Sequence, residues 1–142
     1  MYKLMTVFLP LLVAVAGSYA QCDQKVVISG SKTEYLKADS SVQRTVDEHT
    51  DIEFDKTTIK ITAGDDHIMN GTIRSYDCNW QTPFKEGKSV LKITITEEDG
   101  KAHNITLTIK GKDGKINFLV EVDEDANKKI RLTVDKFEAK AG

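Results

Sequence analysis

Along the last third of the chain, apolar side chains fall at every second position. Leu91, Ile93 and Ile95 alternate with Lys92, Thr94 and Thr96, and Ile105, Leu107 and Ile109 alternate with Asn104, Thr106 and Thr108. Ile116, Phe118, Val120 and Val122 follow, and Ile130, Leu132 and Val134 close the series. Successive side chains of a strand point to opposite faces, so this period of two predicts four half-buried antiparallel strands between Lys88 and Asp135. The connections agree. Glu98-Asp99-Gly100, Gly111-Lys112-Asp113-Gly114 and Asp123-Glu124-Asp125-Ala126-Asn127 are short, polar and rich in residues that tolerate positive φ.

Upstream the pattern is fainter but of the same kind. Val26-Val27-Ile28 opens a strand that continues toward Tyr35-Leu36 through a bulge at Gly30, and Ala38-Asp39-Ser40-Ser41 is a turn by composition. Val42 to Val46 reads as a returning strand. Ile52 with Phe54, and Ile59 with Ile61, read as two short strands around a turn at Asp55-Lys56-Thr57. Ile68 to Tyr76 leads into Cys78-Asn79-Trp80. Gln81 to Gly87, with Pro83 inside it, is expected to be irregular and to break the ladder, because proline has no N–H to donate. No stretch sustains a 3.6-residue repeat, so helix is limited to a turn in that loop or at the C-terminal end.

Eight or nine strands joined in order by short turns make an all-β antiparallel meander. Closure into an up-and-down barrel removes exposed sheet edges and is the expected architecture, with a two-sheet β-sandwich as the alternative. An immunoglobulin sandwich fits poorly, since Trp80 lies two residues after the second cysteine rather than on a separate strand downstream of the first.

The start of the chain changes the picture of where this domain works. Lys3 is followed by an uncharged run from Leu4 to Ala16, and Ser18-Tyr19-Ala20 places small residues at the minus-three and minus-one positions of a cleavage site. This is the pattern of a signal peptide over residues 1–20, shorter than the roughly 20 apolar residues that cross a bilayer. Gln21 before Cys22 argues against lipid attachment at that thiol. Residues 21–142 are then a single all-β domain, secreted or periplasmic, with no membrane span.

Of the 20 basic residues only Lys3 lies in the leader, so 19 basic residues face 22 acidic ones and the mature net charge is -3. A mild, interspersed acidic excess gives no footprint for nucleic acid or an anionic membrane. The only two cysteines, Cys22 and Cys78, are expected to form a disulfide in an oxidising compartment.

Several stretches resemble a group of small, uncharacterised secreted proteins of Gram-negative bacteria. They are Ser31-Lys32-Thr33-Glu34-Tyr35-Leu36, Arg44-Thr45-Val46-Asp47-Glu48, Tyr76-Asp77-Cys78-Asn79-Trp80 and the run from Lys129 to Phe137. That resemblance implies export and a β fold, and carries no activity. In strand number the chain is also similar to lipocalin and fatty-acid-binding barrels, which enclose apolar ligands. The lipocalin Gly-x-Trp motif near the first strand is absent.

No arrangement of nucleophile and base, and no metal-ligand spacing, is recognisable, so neither enzymatic activity nor a cofactor or metal is expected. His49, His67 and His103 lie in no ligand motif. Asp51, Glu53 and Asp55 share a strand face, which reads as a solvated surface before it reads as a calcium site. Gly111-Lys112-Asp113-Gly114-Lys115 has the look of a phosphate loop but lacks its spacing and helix, and reads as a hairpin turn. Asn70-Gly71-Thr72 and Asn104-Ile105-Thr106 match the glycosylation pattern only for a eukaryotic pathway.

The aromatic stretch holding Tyr76, Trp80 and Phe84 is the candidate ligand or contact region, unless its large rings plug one end of the core. Two functions follow. One is a monomeric, non-enzymatic barrel that holds a small apolar ligand among its inward aliphatics. The other is a solid-core module that meets a protein partner, an inhibitory target or an envelope component through its surface.

Overall fold

The structure is a computed structural model and describes residues 21–140. The expected leader, residues 1–20, lies outside them. After a helical turn at residues 21–23 come eight strands: β1 (Val26–Leu36), β2 (Val42–Phe54), β3 (Thr58–Ala63), β4 (His67–Thr82), β5 (Glu86–Thr96), β6 (Ala102–Lys112), β7 (Lys115–Val122) and β8 (Asp125–Ala139). Each pairs antiparallel with the next, and β8 returns to β1 to close the barrel. The sandwich alternative is thereby set aside. Among the described helical residues, none form a helix long and apolar enough to cross a membrane.

Three local expectations are corrected. Val42–Val46 and Ile52–Phe54 are halves of one 13-residue strand, β2, because β1 templates it along its whole length through a register shift near Gly30. The charged middle of β2 hides that continuity from a hydrophobic reading. Gln81 to Gly87 does not break the ladder: Thr82 pairs with Glu86 across a tight turn, so Pro83 sits where no N–H is required. The helical turn lies at residues 21–23, not in that loop or at the C-terminal end.

The turns follow their chemistry. Asp113 (φ 53°) and Gly114 (φ 80°) form the two-residue connection between Lys112 and Lys115, with positive φ at both centres as a tight right-twisted hairpin demands. At the β5–β6 turn Gly100 N–H donates to the Glu97 carbonyl, and the Asp99 carboxylate accepts the Lys101 N–H.

The inner face is filled by the chain itself. Val26, Ile28, Leu91, Ile93, Leu107 and Ile109 are 0% exposed. A void admitting even one water would leave accessible surface on the side chains lining it, so no ligand-sized chamber adjoins these residues. They pack into one cluster with Ile52, Phe54, Ile59, Phe118 and Trp80.

Candidate functional site

The strands are of unequal length, and at the barrel end where β1 starts and β8 finishes this leaves two gaps. β4 runs on to Thr82, whereas β3 begins only at Thr58, opposite Thr72. On the other side β8 continues beside β1 as far as Ala139, but its pairing with β7 stops at Thr133 opposite Asn117. How the chain seals these two gaps determines what the candidate aromatics do.

Trp80 is the plug between them. It is 1% exposed, and its indole N–H donates to the buried Ser89 hydroxyl at 2.8 Å. A ring of that size fits because the facing residues of β5 and β6 are Gly87 and Gly111. A Cβ at Gly111 would lie 2.6 Å from the indole Cζ3 and 2.8 Å from the Lys85 carbonyl oxygen. Tyr76 packs edge-on against Phe54 with ring centroids 5.8 Å apart. Burial pushes its phenol pKa up; a hydrogen bond with Ser89 opposes this and the Asp23 charge adds to it.

The β3–β4 gap is covered by the N-terminal turn. Cys22 is bonded to Cys78 of β4, as expected from the cysteine count. Gln21 is buried, and its side-chain carbonyl accepts the backbone N–H of Phe84 at 2.7 Å. A cleft of about 500 Å³ remains outside this cover, lined by Asp23, Lys56, Tyr76 and Asn79 around the disulfide.

The β7–β8 gap is filled from the opposite side. The turn after β4 folds Phe84 onto Phe137 of β8, with centroids 4.9 Å apart in a T-shaped pair, and Phe137 in turn meets Trp80 at 5.4 Å. Beside Phe84 a seam cleft of about 550 Å³ stays open. Its floor is apolar inner-face surface from Ile116, Leu132, Val134 and Phe137, and its rim carries Lys115, Lys136 and the Arg131–Glu34 pair. The Arg131 guanidinium, hydrogen-bonded at 2.9 Å, holds the Glu34 carboxyl below the usual carboxylate range.

Two of the three candidate residues, Tyr76 and the otherwise buried Trp80, border the β3–β4 cleft, while Phe84 walls the seam cleft and is joined to Trp80 through Phe137. Sequence reasoning missed Gln21 and Phe137. Phe137 follows the bulge at Asp135, which takes it out of the alternating series. Gln21 gives no local signal, since its partner is 63 residues away. One hint was present: the residue after Pro83 in a tight turn is normally glycine or asparagine, and here it is phenylalanine.

The remaining polar groups have their own partners. Asp51 accepts the Ser29 hydroxyl at 2.7 Å and lies 3.0 Å from His49 Nε2, so a carboxylate sits between serine and histidine. A histidine base must contact the hydroxyl directly to take its proton, so this order does not build a nucleophile. Glu53 pairs with Lys140, whose ammonium lowers its pKa; the Thr58 and Thr57 amides lower that of Asp55. Asp51, Glu53 and Asp55 thus each have a separate partner, and among the described residues no group of three or more His, Cys, Asp or Glu is placed to hold a metal ion. His103 lies 3.3 Å from Glu97, His67 is exposed at the start of β4, and Lys112 to Lys115 form the hairpin turn. Comparison with protein-family models, curated proteins and solved structures found no match.

Proposed function

We propose that this chain is an exported, non-enzymatic binding module that acts from its surface, with the seam cleft between β7 and β8 as its contact site. The observation carrying this reading is the filled interior. Side chains with no exposed surface leave nowhere inside the barrel for a ligand of ordinary size, which needs several hundred Å³. At the seam cleft inner-face apolar surface reaches solvent, bordered by charges of both signs (Lys115, Arg131 and Lys136 with Glu34 and Asp135) and by a strained aromatic wall. Apolar floors with charged rims are the usual composition of contact patches. The Cys22–Cys78 disulfide is compatible with an oxidising compartment outside the cytoplasm.

A photo-crosslinking residue at Asn117, on the cleft rim, tests the assignment against one at Thr94, on the outer face of β5. Applied to the protein in its native envelope or medium, the Asn117 probe is expected to give a discrete adduct and the Thr94 probe none. Equal labelling at both positions, or none at Asn117, would reject the cleft as the contact site.

A second reading has one observation in its favour. The cleft floor is apolar and Lys115 stands at its edge, a composition that also fits a small apolar anion inserted from the side. Native mass spectrometry of the recovered protein separates the two: surface contact predicts the mass of the bare chain, and ligand carriage predicts a stoichiometric small-molecule adduct.

A further inference from the structure

Phe84 is held at φ 61°, a left-handed conformation that bulky residues seldom adopt. It is the third residue of a turn in which the Lys85 N–H donates to the Thr82 carbonyl, and Pro83 before it fixes the second position. Such a conformation is strained and persists only where surrounding contacts impose it. The Gly114 N–H steadies the turn by donating to the Lys85 carbonyl at 3.3 Å, and two contacts act on Phe84 itself. The Phe84 ring packs on Phe137, and its N–H is bound by Gln21.

Among the described residues, the other hydrogen bond of Gln21 is local, from the Gln24 N–H to its backbone carbonyl at 3.4 Å. Gln21 is next to Cys22, whose bond to Cys78 anchors the N-terminal turn to β4. Among the described residues, the turn's other side-chain tie to the barrel is the solvent-exposed Lys56–Asp23 ion pair, of a kind that water screens strongly. The chain of support therefore runs from disulfide to turn, from turn to Gln21 amide, and from that amide to the strained wall of the seam cleft.

We propose that Gln21 is the positioning residue for Phe84 and that the Cys22–Cys78 disulfide is the clasp holding Gln21 in place, so that the shape of the seam cleft depends on the oxidation state of that bond. A dithiol reductant supplies the two electrons: its sulfurs close into a disulfide while Cys22 and Cys78 become thiols. The N-terminal turn then leaves β4, the Phe84 N–H loses its acceptor, and the backbone relaxes toward negative φ. The ring swings off Phe137 and the cleft widens. That this widening alters partner binding rests on the reading of the cleft given above; the latch itself does not.

Amide exchange of the oxidised protein tests the latch without breaking the bond. Gln21→Met keeps the volume and removes the acceptor. It is expected to speed exchange at Phe84 about 5–10-fold, the equivalent of one net hydrogen bond, with Leu91 and Leu107 unchanged. Gln21→Glu retains an acceptor oxygen and is expected to keep the protection. Reduced wild-type protein is expected to match Gln21→Met.

Unchanged Phe84 exchange in Gln21→Met overturns the latch. Reduction that leaves Phe84 protected, or that exposes Leu91 and Leu107 together with it, overturns the redox clasp. Loss of the Asn117 adduct would instead defeat the reading of the cleft while leaving a latch seen by exchange intact.

Discussion

Trp80 and Ser89 form the most demanding contact in the molecule, a polar pair inside an apolar plug. Replacing Ser89 with alanine strands a buried indole N–H, and the expected cost is about 1–3 kcal/mol in chemical unfolding. Gly111→Ala attacks the same plug by volume, because its methyl group meets both the indole and a backbone oxygen, and is expected to cost about 1–3 kcal/mol. Tyr76 offers a spectroscopic check on the plug. Its ordinary pKa of 10.0 is raised by burial, so the folded state holds the phenol proton longer than the unfolded chain does. That contribution to stability is present below pH 10 and is lost as pH climbs through the higher folded value. Ultraviolet titration of tyrosinate is expected to show a late-ionising step that disappears in Tyr76→Phe.

At the level of elements, strands β5 and β6 were legible because each has one buried face over most of its length, and β7 and β8 because their apolar residues alternate even though only Phe118 and Leu132 in them are fully buried. β2 was only half legible. Its first residues, from Val42 to Thr45, are exposed, so no hydrophobic alternation marks them, and the strand exists because β1 supplies a partner. The Thr82–Glu86 hairpin was hidden for a different reason. Its turn uses phenylalanine at a positive-φ position, which is stabilised by a residue from the other end of the domain. Where turn chemistry is local, the sequence can be read in detail. At the β6–β7 hairpin Gly114→Asn is therefore expected to be tolerated, whereas Gly114→Val should cost roughly 1–2 kcal/mol of unfolding free energy by forcing a branched side chain to φ near 80°.

Over the whole molecule, barrel and disulfide were both readable: the first from the number of consecutive strands, the second from having two cysteines. What escaped was how the two gaps at one end are sealed, because strand length mismatch becomes visible only once register is known. Two ion pairs and one set of amide hydrogen bonds at the outer surface predict the acid behaviour of this barrel. Glu34, Glu53 and Asp55 have folded pKa values below their ordinary 4.5, 4.5 and 3.8. Their contribution to stability is present above those ordinary values and is lost as pH falls through the lower folded ones. The thermal midpoint measured by circular dichroism is therefore expected to be insensitive to these groups above about pH 5 and to drop below about pH 4.

The barrel encloses packed side chains and no ligand chamber adjoining its fully buried aliphatics. Xenon enters apolar voids that water leaves empty, so crystals pressurised with xenon interrogate the interior directly. No xenon site is expected among Ile28, Leu91, Ile93, Leu107 and Ile109. An ordered xenon enclosed by those side chains would contradict it.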